Sequence, residues 1–257
     1  MSHSWSGLAI LAALVLPVSE AAAKQESYRA DYSVTLLGLP VARASFDSTF
    51  SGDRFSINGS LASSGIARLF ERTDGTTSAR GSVTKDGVRP QSFVADYTSG
   101  KKKARTTIAF SGDRITKVEN TPTPRRGGDW IPVPGDQLKA ALDPLSSTLI
   151  RTTDPSKVCN RTIRVFDGEM RADLKLTHRE TGAIRGFTGE GVTCDARFVP
   201  VAGYRRGRSQ IEFLKNRSRI QIAFMRLGET GFYTPVDASI GTQVGTLRIR
   251  LSSLQPR

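Results

Sequence analysis

From Ser27 the chain alternates apolar and polar positions: Tyr28, Ala30, Tyr32, Val34 and Leu36 share one parity, and Arg29, Asp31, Ser33 and Thr35 the other. A period of two places the first set on one face of an extended strand and the second on the opposite face, which predicts a β-strand with one wet side. Leu37-Gly38-Leu39-Pro40 breaks the run. A second stretch, Val41 to Phe50, turns at Ser51-Gly52-Asp53 and resumes from Arg54 to Leu61, giving three strands in meander order. The pattern returns over 76–85, 92–97 and 104–110, with turns at Asp86-Gly87 and at Ser99-Gly100-Lys101-Lys102. In the C-terminal half it predicts strands over 158–166, 170–178, 192–199, 219–227, 231–240 and 245–254, with a turn at Asp167-Gly168.

Three segments depart from this rhythm. Ile66, Leu69 and Phe70 fall at helical spacing, enough for one short helix. Asn120 to Gly135 holds Pro122, Pro124, Pro132 and Pro134 and reads as an irregular exposed connection, the natural place for a halfway hinge at 120–135. Asp143-Pro144 offers an N-cap followed by proline at the first helical position, and Leu145, Thr148 and Leu149 would share a face, so the clearest helix is expected over 144–151. The pentapeptide Phe-Ser-Gly-Asp-Arg occurs at 50–54 and 110–114, but Gly and Asp are what hairpin turns select, and the flanks match poorly. So many strands joined by short turns need their edges hidden. The expected fold class is therefore all-β: a highly curved antiparallel sheet, barrel-like or spiral/half-barrel, with one or two short helices, the one at 144–151 plugging the interior or covering an open end. An outer-membrane barrel fits poorly, because the outward faces carry Arg and Lys where a lipid-facing band is apolar.

The N-terminus changes the cellular picture. An apolar segment from Leu8 to Val18 precedes Ala21-Ala22-Ala23 and Lys24, the order of a secretory leader, although its head carries neither Lys nor Arg. The apolar run is roughly half the ~20 residues a membrane span needs. Cleavage after Ala23 would leave residues 24–257 as a single β-rich domain, periplasmic, with no transmembrane span in the mature chain. Its two cysteines, Cys159 and Cys194, predict one disulfide in an oxidising compartment.

The formal charge is +13, and loss of Glu20 with the leader raises it by one. Such a field favours anionic partners; the duller account is compositional, with Arg outnumbering Lys 27 to 10 on solvated β-faces that must carry something polar. In an envelope the partners are anionic lipid, lipopolysaccharide or wall polymer rather than nucleic acid. The basic clusters best placed to reach one are Lys101, Lys102 and Lys103 with Arg105, at a hairpin tip, and Arg205 and Arg206 with Arg208, in a loop; Arg125-Arg126 and Arg217 with Arg219 are further clusters.

Catalytic chemistry finds little support. After cleavage His178 is the one histidine, which removes multi-histidine metal sites, and no Gly-x-Ser-x-Gly elbow presents a serine. Asp143 and Asp237 stand out among the acids, but capping explains the first and a strand end the second. No catalytic residue, cofactor or metal site is predicted.

Ala141-Leu142-Asp143-Pro144-Leu145-Ser146-Ser147, the closing Tyr233-Thr234-Pro235-Val236-Asp237 with Gly245-Thr246-Leu247, and the opening Tyr32-Ser33-Val34-Thr35-Leu36 with Gly38 resemble segments of the domain of unknown function 3108 family, bacterial envelope proteins. The cysteine pair does not map onto that pattern. The resemblance implies a periplasmic, mainly β protein of barrel-like or half-barrel character and carries no established activity. The expectation is a non-enzymatic envelope protein that binds an anionic or lipid-like component, or a partner protein. The alternatives are a carboxylate-dependent enzyme on cell-wall glycan and a structural scaffold.

Overall fold

The computed structural model describes residues 25–70 and 72–257; the leader predicted over 1–23 lies outside them. Seven strands form the N-terminal half: β1 (Gln25–Leu36), β2 (Leu39–Ser51), β3 (Arg54–Ser63), β4 (Thr73–Thr84), β5 (Gly87–Ser99), β6 (Lys102–Ser111) and β7 (Arg114–Thr121), with the four-residue helix α1 (Ala67–Phe70) between β3 and β4. Two short strands, β8 (Trp130–Ile131) and β9 (Ile150–Arg151), lie in the central connection. The C-terminal half consists of β10 (Arg161–Phe166), β11 (Arg171–Ala183), β12 (Glu190–Ala202), β13 (Tyr204–Arg205), helix α2 (Ser209–Asn216), β14 (Ile220–Arg226), β15 (Phe232–Thr242) and β16 (Gly245–Pro256).

One antiparallel sheet runs β10-β11-β12-β14-β15-β16-β1-β2-β3-β4-β5-β6-β7, so the first strand pairs with the last and both halves share one ladder. The two ends of that path, β7 and β10, do not pair with each other; the sheet is a half-barrel rather than a closed one. The gap is strapped by residues 139–142. On one side the Ala140 amide donates to the Asp113 carbonyl. On the other, Leu142 donates to Arg164 and accepts from Phe166. Arg171, 1% exposed, holds the start of the strap: its Nε donates to the Gln137 carbonyl at 3.0 Å, and its guanidinium pairs with Asp173 at 2.6 Å. A buried cation is tolerable only with such partners.

Four prolines explain much of the curl. Pro40, Pro90, Pro200 and Pro235 each sit inside a strand, and each coincides with a shift in pairing register. Proline has no N–H for the ladder, so it is confined to edges and bulges, and bulges bend and twist a strand. Two inward glycines add to this, Gly59 opposite Phe46 and Gly81 opposite Phe55. The facing ring lies over each glycine, and a Cβ at Gly81 would collide with both the Arg89 carbonyl and the Phe55 ring.

The inward parity builds the core. Phe50, Phe55, Ile57, Phe93 and Ile108 from β2 to β6 pack with Phe166 and Phe232, and Leu145 and Leu149 enter this cluster from inside the curve. The segment 141–149 thus occupies the interior, one of the two places expected for it, rather than covering an open end, and it does so without forming the predicted helix. Asp143 caps it, its Oδ1 accepting from the amides of Leu145 and Ser146 at 3.0 and 2.9 Å. Only a 3-10 turn, Ser146–Thr148, then forms. Ile150 and Arg151 are drawn into pairing with Tyr233 and Phe232 of β15, which ends the turn. The central connection departs from expectation as well. Within 120–135, Trp130–Ile131 pairs with Tyr204–Arg205, and residue 121 still belongs to β7. The helix α2 had no counterpart in the sequence pattern.

Candidate functional site

Because every neighbouring pair is antiparallel, successive turns fall at alternate ends of the sheet. The turns at 37–38, 64–70, 100–101, 167–170 and 243–244, together with 203–219, form one rim; those at 52–53, 85–86, 112–113, 184–189 and 227–231 form the other. The first is called the upper rim.

Between the plug and the strands β14, β15, β16, β1, β2 and β3 lies a cavity of about 440 Å³. Its eighteen lining residues include no Asp, Glu, Lys, Arg or His. The void has a sequence cause. Ala30, Ala44, Ser48 and Ala238 occupy inward positions where phenylalanines fill the neighbouring part of the core, so the walls stand apart; Val34, Phe46, Ile57, Ile222, Ile240 and Ile249 supply the apolar surface, and Leu145, Thr148 and Leu149 the floor. Leu61 lines the cavity and is 43% exposed, which places an opening at the upper rim.

A phenol is the principal polar feature inside. Tyr32 packs edge-on against Phe46 with ring centroids 5.8 Å apart, and its hydroxyl donates to the Pro235 carbonyl at 2.8 Å. Burial pushes its pKa up to about 12, so it stays a neutral donor. A second groove of about 490 Å³, on the lower rim, is lined by Asp86 and Asp113 as well as Arg89, Arg151, Arg161 and Arg164; that mixed charge does not suit an apolar guest.

The structure brings the two expected basic clusters to the same rim. Lys101, Lys102 and Lys103 are exposed at the β5–β6 turn, and Arg205, Arg206 and Arg208 lie between β12 and α2. The connection after β7 joins them: Arg105 and Arg126 line one groove, and Arg205 donates to the Arg125 carbonyl at 3.3 Å. Arg126 stacks over Trp130 at 5.6 Å. Arg105 is ion-paired with Asp96, whereas the three lysines and Arg205, Arg206 and Arg208 make no ion pair among the described residues. Glu169 lies within the field of Arg126 and Arg208; burial nevertheless raises its pKa.

The remaining sequence candidates resolve as follows. Cys159 and Cys194 form a disulfide with Cα atoms 5.7 Å apart, both essentially unexposed. It ties the turn before β10 to β12 across β11. Cys159 lies two residues ahead of its strand rather than opening it. Such a bond points to an oxidising compartment. His178 is exposed, with Nε2 3.0 Å from the Thr181 hydroxyl. Asp237 is occupied by Arg248 and Arg250 at 2.5 and 3.5 Å. Among the described residues no cluster of three or more His, Cys, Asp or Glu could hold a metal, and no helix is long and apolar enough to cross a membrane. Sequence reasoning did not single out the cavity walls; the small residues at inward parity were their one signal.

Comparison with known proteins agrees with this architecture. The crystal structure of a beta-barrel-like protein of domain of unknown function DUF1849 from Brucella abortus superposes with a TM-score of 0.56 at 13% identity, over 92% of this chain and 100% of that one. At that identity the likeness shows the fold alone. No curated protein matches the sequence. The family model "Protein of unknown function (DUF3108)" matches residues 27–252, nearly the whole described chain, and the protein belongs to that family.

Proposed function

We propose that this is a non-enzymatic periplasmic envelope protein that holds the apolar chain of a lipid-like anionic amphiphile in the cavity beneath the upper rim. The uncharged cavity carries the reading: at about 440 Å³ it falls within the ~300–1,000 Å³ typical of ligand pockets, which combine apolar walls with a few placed polar groups. Alkyl surface buried there gains about 25 cal/mol per Å². The Tyr32 hydroxyl, whose proton goes to Pro235, can accept a hydrogen bond from a donor on the guest, and the lysines and arginines of the upper rim favour a negative head group. The predicted leader and the disulfide support the compartment.

Native mass spectrometry of the protein recovered from a periplasmic extract, followed by solvent extraction and lipid analysis, tests this. A bound lipid at near-stoichiometric occupancy is expected. An unliganded mass, with no uptake of a long-chain fatty acid or a single-chain phospholipid, would overturn it and turn attention to protein partners.

A further inference from the structure

The upper rim carries a second feature, independent of what the cavity holds. A contiguous apolar patch at a protein surface marks a protein or membrane interaction site, and here Leu37 is 68% exposed, Leu39 50% and Val244 67%. They form one patch. The Leu37 amide donates to the Thr246 carbonyl, and the Leu37 side chain lies against Gly245, so the β1–β2 and β15–β16 turns abut. Ile66, 41% exposed, extends the patch on the other side, where Ser64 donates to Val41 and Gly65 lies against Pro40.

On the same rim stand Lys101, Lys102 and Lys103 without ion-pair partners, and the cavity opens at Leu61 between patch and lysines.

We infer that the upper rim docks on an anionic lipid bilayer, with the Leu37, Leu39 and Val244 tips entering the interface and the basic rim lying on the head groups. Chemical complementarity selects a bilayer. Projecting aliphatic tips have the reach to enter the acyl boundary, and each lysine near an anionic surface strengthens binding about fivefold. A protein partner would need a matching apolar hollow of its own. A bilayer offers both chemistries at once, and docking by this rim would set the cavity mouth against the source of its ligand. The docking stands on the rim alone and does not require the ligand reading to hold.

The test is co-sedimentation of the exported protein, taken from the periplasmic fraction, with vesicles of phosphatidylcholine alone or mixed with phosphatidylglycerol. Binding is expected to the mixed vesicles and to weaken steeply with salt. The L37D/L39D/V244D variant should lose roughly thirtyfold or more in vesicle affinity, and K101Q/K102Q/K103Q roughly a hundredfold on mixed vesicles only. All six positions are exposed, and unchanged thermal melting establishes that the variants fold. Equal binding by wild type and the aspartate variant, or equal binding to both vesicle types, would overturn the docking. So would wild-type dimers in sedimentation velocity that the aspartate variant converts to monomers without vesicle binding, since the patch would then join two copies. Because vesicles are scored by rim variants and ligand by mass, failure of one claim leaves the other standing.

Discussion

Enlarging Ala44 distinguishes an open cavity from a packed core by the sign of one number. Ala44 faces the cavity, is 8% exposed, and lies between Tyr32 on β1 and Leu61 on β3. Ala44→Leu adds about three methylene equivalents of apolar surface, worth about 2.4 kcal/mol at ~0.8 kcal/mol each. Fixing the longer side chain costs about 0.5–1 kcal/mol. The ligand-stripped variant should therefore be more stable than wild type by about 1.5–2 kcal/mol, or about 3–8 °C in Tm for a chain of this length. A filled interior would respond oppositely, because overpacking costs about 1–3 kcal/mol. The assay is thermal unfolding of stripped wild type and variant, with lipid content measured on protein isolated without stripping. Higher Tm together with loss of bound lipid is the expected result. A lower Tm in the stripped variant would refute the reasoning, since it would mean the side chain has no empty volume to enter.

Other expectations test the frame. The C159S/C194S variant loses the constraint on a 35-residue separation and should fall by about 3–4 kcal/mol in urea unfolding. Gly81→Ala places a methyl against the Arg89 carbonyl and Phe55 and should cost about 1–3 kcal/mol, read in the same assay. Asp143→Ala should lose about 1–2 kcal/mol with the cap. Burial raises the Asp143 pKa despite the hydrogen bonds from Ser146 and Leu145, which lower it. The folded state therefore holds the proton more tightly than the unfolded chain. The stability linked to this group is fully present below the ordinary carboxylate value near ~4 and is lost as pH rises through the folded value. Asp143→Asn removes that dependence, so the stability of wild type minus that of D143N should fall as pH rises above the ordinary carboxylate range, and a rise would contradict the assignment.

The strands with one wet face were legible because parity alone decides which side chains meet water, as in Tyr28 to Leu36. Where parity is broken, the signal fades: β7 presents Ile115 and Val118 to the core, an odd spacing that follows a register shift beside Ala109 and Phe110. Helix signals misled in both directions. The cap at Asp143 is real, but Ser147 and Thr148 bond back to the carbonyls of Pro144 and Leu145, competing with the ladder, and the β15 edge claims Ile150. The helix α2 has Arg208 at its N-cap without a side-chain bond, so nothing local announced it. The basic clusters could be read, but not their union, which depends on a proline-rich connection folding back to place Arg125 and Arg126 between them. The cavity was least legible. Ala30, Ala44 and Ala238 are ordinary small residues until the sheet curls and sets them around one space.

Direct titration of ligand-stripped protein with a fluorescent long-chain fatty acid, run beside Ala44→Leu, tests the central claim most closely. Saturable one-to-one binding by wild type, abolished in a variant that is folded and more stable, is the predicted result. No binding by wild type, or equal binding by both proteins, would contradict an apolar chain held in this cavity.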